Sequence, residues 1–191
     1  MSSSARSPKA TLLTCACLSV ATLGACKSAG AQPSTPPGVT LSSLTVTSKS
    51  FPSGGTVPVD YTCDGADRSP QLTWSAPPPG TKSLAIVTDD PDAPGGDFTH
   101  WIVFDLRPDA LAIPEGGDPT ELGGVLGLNG FNRIGYSGPC PPRMEIHHYF
   151  FRVFALDAPL SAKPGANRDT IDAAMSSHVL AEGALMGTFS H

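Results

Sequence analysis

From residue 41 onward, short apolar, β-branched or aromatic runs alternate with turns rich in Pro, Gly and Asp. Regularly spaced runs of this kind are typical of an antiparallel sandwich or barrel, and the pattern lacks the alternating long helices of a parallel sheet. The predicted strands are 41–46, 57–62, 72–74, 83–89, 99–106 and 149–156. A short helix is predicted over 169–177, with Asn167 or Asp169 as its N-cap. We therefore predict one mainly β domain.

The segment before this domain has the order of a signal sequence. Residues 1–25 have a basic start, no acidic residue and then a weakly apolar run that ends before Cys26. The run is too short for a transmembrane helix, which needs about 20 apolar residues. The sequence LGAC at 23–26 resembles the lipobox of bacterial lipoproteins, in which the cysteine becomes lipidated. An ordinary cleaved signal with an incidental cysteine is the alternative.

These features predict a lipoprotein signal peptide over 1–25, a flexible Ser-, Pro- and Gly-rich tether over 26–40 and a folded domain over 41–191. We expect an exported bacterial lipoprotein that is held on a membrane by lipidated Cys26 and faces the periplasm or the cell surface. Lys27 directly after this cysteine favours the outer membrane, by resemblance to enterobacterial lipoprotein sorting.

Composition and charge narrow the possible partners. The chain holds 20 Gly and 20 Pro among 191 residues, which excludes a coiled coil or a helical bundle. Its formal net charge is -5, and removal of the signal makes it more acidic, because that segment carries Arg6 and Lys9 but no acid. Binding to nucleic acid requires a basic surface, so we expect no nucleic-acid partner.

Two cysteines, Cys63 and Cys140, lie inside the predicted domain. In an exported domain such a pair is a candidate disulfide, and closure of the long loop between them would stabilise the fold by roughly 4 kcal/mol. Two free thiols are the alternative, because the sequence does not fix the distance between the residues.

Polar residues that could carry chemistry lie where predicted strands end. Asp90 follows an apolar run, and alternation places it in line with Leu84 and Ile86 while Asp89 points to the opposite face. His100 is predicted to share a face with Ile102 and Phe104 in the next strand. An imidazole among apolar side chains needs a hydrogen-bond partner, and Asp90 is the candidate.

A third polar segment covers 135–142 and leads into an aromatic strand. Its glycines allow the backbone to approach a ligand closely, and its prolines make the loop stiff. Alternation then turns His147 and Tyr149 toward one face and leaves His148 in solvent. The segment therefore predicts one wall of a pocket.

These motifs together resemble the phosphatidylethanolamine-binding protein family, and more narrowly its bacterial YbhB/YbcL, Raf-kinase-inhibitor-like branch. The resemblance is carried by DPDAP at 90–94, HW at 100–101, GPCPP at 138–142, HHY at 147–149 and the ending at 173–189. It covers essentially all of the predicted domain. It implies a Greek-key antiparallel β-sandwich with a short C-terminal helix and a small pocket for a phosphate-like anion or a phosphorylethanolamine head group.

The resemblance also assigns the residues of the pocket. The implied ligand-binding residues are Asp90, Asp92, Pro94, His100, Gly138, Pro139, Pro141, His147 and Tyr149. Two segments depart from the family pattern: Phe98 and Thr99 replace a tryptophan found before the first histidine in eukaryotic members, and 143–145 replaces a glycine-bearing stretch. Both departures affect the rim of the pocket.

We therefore predict a non-catalytic binding module for a small anionic or zwitterionic ligand, with no cofactor and no metal. One protonated histidine would offset the acidic charge of the chain, so affinity should fall as pH rises through the histidine pKa. An envelope protein-interaction module, such as a protease inhibitor, is one alternative. A hydrolase or a metal site built on Asp90, His100 and His147 is another, although the sequence contains no GxSxG, HExxH or paired CxxC motif.

Overall fold

The structure, a computed structural model, describes residues 41–191. The predicted signal peptide and tether, with Cys26, lie outside this range. The described elements in chain order are β1 (Ser42–Ser43), β2 (Val46–Thr47), a 3-10 helix (Val59–Tyr61), β3 (Leu72–Trp74), β4 (Ser83–Asp90), β5 (Phe98–Leu106), β6 (Ala112–Ile113), a second 3-10 helix (Pro119–Leu122), β7 (Val125–Leu126), β8 (His147–Leu156), α1 (Arg168–Met175) and β9 (Val179–Phe189). None of the helices in this range is long and apolar enough to cross a membrane.

The strands form a six-stranded sheet in the order β1-β9-β8-β4-β5-β7 and a three-stranded sheet in the order β2-β3-β6. Neighbouring strands are antiparallel except β1 and β9, which pair in parallel. The prediction of a mainly β fold with one short helix is thereby confirmed, with the difference that the larger sheet is mixed.

Both faces of the larger sheet are covered, and this positions the site. One face packs on the smaller sheet through a cluster that includes Leu84, Trp101 and Tyr149. The other face packs on α1 and its flanking loops, with Ile102 of β5 against Ile171 of the helix. Strand β4 lies in the middle and is buried along its whole length. Polar side chains at the end of β4 therefore lie between two packed layers.

Four of the predicted strands correspond to β3, β4, β5 and β8. The segment predicted as a strand over 57–62 instead contains a 3-10 helix, because Pro58 supplies a carbonyl that accepts from the Tyr61 amide and so closes a tight turn. The segment predicted over 41–46 is split between β1 and β2. Strand β9 is not among the predicted strands, since it has few β-branched residues and two glycines interrupt its apolar positions.

Helix α1 begins at Arg168, one residue before the predicted start, and of the two candidate N-caps it is Asn167 whose side chain accepts a hydrogen bond from the Thr170 amide at 3.1 Å. It ends at Met175, two residues before the predicted end. Ile171 and Met175 are buried toward the sheet, as expected for residues one turn apart on the same helix face.

Candidate ligand-binding site

A cavity of about 340 Å³ lies where the end of β4 meets the starts of β5 and β8. In the sheet β4 lies between the other two strands, so side chains from all three strand ends converge there. The lining residues are Asp90, Ala93, Pro94, Phe98, His100, Phe131, Cys140, Pro141, Pro142 and His147. The wall is mostly apolar and carries a few ionisable groups, which is the usual composition of a small-molecule site.

The principal polar feature is a buried pair formed by Asp90 and His147. The Asp90 Oδ2 atom accepts from His147 Nδ1 at 2.7 Å, and both side chains are less than 5% exposed: 3% for the histidine and 4% for the acid. The other carboxylate oxygen of Asp90 accepts from the Asp92 amide at 2.9 Å. The acid thus fixes the orientation of the imidazole and is itself held by the backbone.

A second carboxylate reaches the other side of the same ring. Glu145 Oε2 lies 3.2 Å from His147 Nε2, and the Glu145 side chain is 54% exposed. Burial by itself lowers the pKa of His147, but the hydrogen bonds with Asp90 and Glu145 outweigh it, and the pKa lies above its usual value. Carboxylate oxygens thus face both ring nitrogens of His147, an arrangement that favours its imidazolium form.

His100 reaches the cavity because of an irregularity in β5. The pairing of β4 with β5 shifts between Thr88–Trp101 and Asp89–Thr99, which leaves His100 without a partner on β4. A bulge of this kind interrupts strict alternation. Trp101 consequently packs in the cluster between the two sheets, whereas Ile102 packs toward α1. The prediction that His100 shares a face with Ile102 is wrong for this reason.

The predicted partner of His100 is also corrected. Its Nδ1 atom lies 2.8 Å from the backbone carbonyl of Ser137, whereas Asp90 binds His147. A carbonyl only accepts, so Nδ1 carries a proton and Nε2 of the neutral ring is an acceptor. Burial lowers the pKa of His100 and outweighs its hydrogen bonds and the nearby carboxylates. The two histidines of the cavity therefore differ: the carboxylates raise the pKa of His147, whereas burial lowers the pKa of His100.

Asp92, for which the resemblance implies a ligand contact, is not among the residues that line the cavity. Its Oδ2 atom accepts from the amide and Nδ1 of His148, at 2.8 Å and 2.6 Å. These bonds lower the pKa of Asp92, and both side chains are substantially exposed. The pair closes the turn after β4 on the outer surface. Alternation along β8 accounts for this, since His147 points inward and His148 points outward.

Three further predicted contacts do not line the cavity. Gly138 lines a separate, smaller hollow, and Pro139 is buried in the loop. Tyr149 is fully buried behind the histidines, with its ring 5.2 Å from that of His100 and 6.5 Å from that of His147. The Tyr149 hydroxyl has no hydrogen-bond partner within residues 41–191, and burial raises its pKa. Tyr149 thus packs against the imidazole rings of both His100 and His147.

Phe98, Phe131 and Glu145 belong to the site but are not among the ligand contacts predicted from the sequence. Phe98 and Phe131 pack edge to face at 4.7 Å, and each also packs against the His100 ring. Phe98 lies opposite Asp90 in the strand pairing. Its place in the site could therefore be predicted only by allowing for the bulge in β5. Phe131 and Glu145 lie in loops, where periodicity gives no signal.

The face opposite the cavity carries Asp89, as alternation predicts. Its buried carboxylate accepts from Arg152 and Arg168, each at 3.2 Å to Oδ2. Burial raises the pKa of Asp89, and the two guanidinium groups partly offset this effect. The adjacent acids Asp89 and Asp90 are therefore separated by the thickness of the sheet and belong to different networks.

Comparison with known proteins decides the family. The sequence model of the phosphatidylethanolamine-binding protein family matches residues 47–190. The chain belongs to this family. Within it, the chain is 43% identical over 143 residues to a UPF0098 protein of Methanothermobacter thermautotrophicus, with 73% of this chain and 93% of the relative covered. A UPF0098 protein of Aquifex aeolicus is 43% identical over 150 residues, with 76% and 88% covered.

Solved structures of this family have the same fold. A phosphatidylethanolamine-binding protein homolog from Chlamydia trachomatis is similar with a TM-score of 0.72 and 37% identity, covering 78% of this chain and 98% of the homolog. YbcL of E. coli, described as a member of the mammalian family, gives a TM-score of 0.73 and 29% identity, covering 78% and 99%. The resemblance stated from the motifs is thereby confirmed.

The charge of His147 leads to a titration prediction. We expect its imidazole pKa, followed by NMR, to lie above 6.5 and to fall in Asp90→Asn, because the neutral amide no longer stabilises the imidazolium. The raised folded-state pKa means that His147 adds to stability fully below its unfolded-state pKa, and that this contribution is lost as pH rises through the folded-state pKa. A wild-type pKa below 6.5 would contradict the described pairing.

The close packing of Gly138 leads to a second prediction. A Cβ there would overlap the Tyr61 carbonyl oxygen and lie 2.8 Å from the Thr62 Cα, both of which are backbone atoms. Gly138→Ala should lower the free energy of unfolding by about 3 kcal/mol, as overpacking does. Gly135→Ala is the matched control in the same loop: nothing lies within 4 Å of its Cβ position, so only its positive φ costs energy, about 1 kcal/mol. Chemical denaturation measures both, and equal losses would contradict the steric explanation.

Proposed function

We propose that the cavity is a non-catalytic binding site for a small phosphate-bearing group of the phosphorylethanolamine type. The observation that carries this proposal is the His147 imidazolium, whose Nδ1 is held by buried Asp90 and whose Nε2 meets the exposed carboxylate of Glu145. An anionic oxygen already occupies the position in which a phosphate oxygen would bind. Glu145 is exposed, so it is displaced without opening the core.

Charge supports an anion at this position only when His147 is protonated. Asp90 and Glu145 together outweigh the single positive charge of the ring, and the chain as a whole is acidic. A phosphate that replaces Glu145 keeps a charge-assisted hydrogen bond with Nε2, which is stronger than a neutral one. The affinity for phosphate therefore falls as pH rises through the raised pKa of His147.

The remaining lining suits the other end of a zwitterion. Phe98 and Phe131 present aromatic rings to the cavity, and an ammonium group over such a ring is stabilised by about 0.5–2 kcal/mol. His100 offers the lone pair of Nε2 to an ammonium or to the hydroxyl of a monoprotonated phosphate. The volume is at the lower end of the range for small-molecule sites, which favours a head group over a larger ligand.

Titration calorimetry with three probes tests this function: phosphorylethanolamine, inorganic phosphate and ethanolamine. We expect phosphorylethanolamine to bind most tightly, phosphate more weakly and ethanolamine least, with the affinity for both phosphate compounds falling as pH rises through the pKa of His147. If none of the three probes gave heat beyond its heat of dilution, the proposal would be contradicted. Release of inorganic phosphate from phosphorylethanolamine, followed by ³¹P NMR, would replace it with the hydrolase alternative.

The Glu145 carboxylate leads to a further prediction. Glu145→Gln should tighten inorganic phosphate binding by about tenfold, equal to about 1.4 kcal/mol, because the displaced group no longer carries a like charge. It should also lower the pKa of His147. Glu121→Gln makes the same change of net charge at an exposed site on the second 3-10 helix and should leave both quantities unchanged. Tightening by the control to the same degree would indicate long-range charge alone.

We also propose that the domain is tethered to the cell envelope through lipidated Cys26. This proposal is supported by the sequence at 1–26, which has the order of a lipoprotein signal. Metabolic labelling with a radioactive fatty acid should mark the wild-type chain and leave Cys26→Ser unmarked. Label that persists in Cys26→Ser would show that the fatty acid is attached to another residue.

A further inference from the structure

A second cluster of chemically reactive side chains lies beside the ligand cavity. Cys63 follows the first 3-10 helix, Cys140 lies in the loop that walls the cavity, and His191 follows β9. The two sulfur atoms and an imidazole nitrogen of His191 lie within 4.8 Å of one another, and all three residues are exposed. Cys63 and Cys140 are joined by a disulfide. Three distant parts of the sequence thus bring two sulfurs and one imidazole together at the surface.

The His191 ring is already oriented by a carboxylate. Its Nδ1 atom lies 2.8 Å from Asp64 Oδ2, and Asp64 is the residue after Cys63. Nδ1 keeps its proton and donates a hydrogen bond to the carboxylate, so the lone pair of the neutral ring is on Nε2. A carboxylate behind a histidine in this way is the usual second layer around zinc, where it fixes the tautomer and increases the basicity of the ligand.

We propose that reduction of the Cys63–Cys140 disulfide creates a zinc site formed by the two thiolates and His191 Nε2, with water as the fourth ligand. Zinc in proteins takes four ligands at about 2.3 Å for sulfur and about 2.0–2.1 Å for nitrogen. A tetrahedron of these bonds separates ligand atoms by about 3.5 Å. The three ligand atoms lie within 4.8 Å of one another, which is compatible with this spacing once the sulfurs move apart.

The chemical steps balance with a phosphine or dithiol as the reductant. The disulfide accepts two electrons and two protons, and the S–S bond is replaced by two S–H bonds. A phosphine is oxidised to its oxide with the oxygen of one water molecule, whereas a dithiol forms its own disulfide. Zinc then binds as both thiol protons leave to solvent and two Zn–S bonds form, while neutral His191 contributes its lone pair.

Zinc would take over the structural role of the disulfide at the cavity wall. Cys140 lines the ligand cavity and is followed by Pro141 and Pro142, which line it as well. In the oxidised chain the disulfide ties this wall to Cys63. In the reduced chain the metal ties the same two residues, so the wall keeps a crosslink under either condition. The inference does not depend on which ligand the cavity binds.

The test uses the full chain with Cys15, Cys17 and Cys26 replaced by serine, so that Cys63 and Cys140 are its only cysteines. The protein is reduced with a water-soluble phosphine and titrated with cobalt, whose thiolate charge-transfer and ligand-field absorption report the ligand set, and then with zinc in competition with a chromophoric chelator. We expect one metal ion per reduced chain, tetrahedral cobalt absorption with thiolate bands, and no binding by the oxidised chain.

Two variants identify the imidazole and its carboxylate. Asp64→Asn should weaken zinc binding by about tenfold or more, and His191→Ala by more than that. His178→Ala is the matched control, because His178 also pairs with an aspartate, Asp157, at 2.6 Å, and should leave the affinity unchanged. Reduced chain without thiolate–cobalt bands would overturn the proposal. Equal zinc affinity in wild type and His191→Ala would overturn it as well, since two thiolates alone would then account for the binding.

Discussion

His147→Gln should weaken the binding of phosphorylethanolamine by about 10- to 100-fold, because it removes the one charge-assisted donor that the cavity offers to an anion. Glutamine is the informative substitution. Its amide can still donate to Asp90, so the buried carboxylate keeps a partner and the fold is preserved. Removal of the partner altogether would leave a buried charge unpaired and would cost several kcal/mol of stability.

The pH dependence of binding distinguishes the effect of the His147 charge from the effect of the side chain's shape. Wild-type affinity should fall as pH rises through the raised pKa of His147, whereas the residual affinity of His147→Gln should not change over that pH range. His148→Gln is the matched control: the residue is adjacent, points to the outer surface and pairs with Asp92. Calorimetry on the three proteins gives the comparison. Weaker binding in the control to the same degree would contradict the assignment of the anion to His147.

Removal of the disulfide should have the largest effect on stability. The Cys63→Ser/Cys140→Ser double variant should lose about 4 kcal/mol of unfolding free energy, because the crosslink closes a loop with a sequence separation of 77 residues and restricts the unfolded chain. Urea denaturation of both proteins, each with and without reductant, measures this loss. Reductant should destabilise the wild type and leave the double variant unchanged. Equal stability of the two oxidised proteins would contradict a stabilising role for the crosslink.

The effect on ligand binding should be smaller. Cys140 lies in the wall of the cavity, but the ionisable groups that face the ligand are held elsewhere, with Asp90 and His147 bonded to each other. We expect the double variant to bind phosphorylethanolamine within a fewfold of the wild type at temperatures where it is folded. Loss of binding by the folded variant would show that ligand recognition depends mainly on the Cys140 wall and not on His147.

Alternation along strands predicted the inward residues that follow regular pairing. Asp90 at the end of β4 and His147 at the start of β8 both lie in the cavity, while Asp89 and His148 point away. Period-2 patterning succeeds there because these strands continue into a buried sheet that fixes which face is which.

The same rule failed for His100, and the reason is local. A single shift of register in β5 leaves it unpaired and changes its face, and no residue in the sequence marks that shift. Its partner could not be predicted either, since the Ser137 carbonyl belongs to a backbone 37 positions away. Asp90 was the only carboxylate suggested by the strand pattern, but it is already occupied by His147.

Loop residues formed the other gap between sequence and structure. Glu145 contacts His147 from a segment without periodicity, and Phe131 arrives from the loop between β7 and β8. The family resemblance implied the position of the pocket but neither of these contacts, and Glu145 lies in 143–145, which departs from the family pattern. Both residues matter for the proposed ligand: in the proposed complex its phosphate would displace Glu145, and its ammonium would lie beside Phe131.

We propose that His147 and His100 together contact a phosphate-bearing head group. NMR of the imidazole signals during titration with phosphorylethanolamine tests it most directly. We predict that the His100 and His147 signals shift in a saturable way with one affinity and that the pKa of His147 rises further on binding, while His148 and His178, which lie outside the cavity, do not shift. Saturable shifts confined to His148 or His178, or none at all at millimolar ligand, would contradict binding of the head group at His100 and His147.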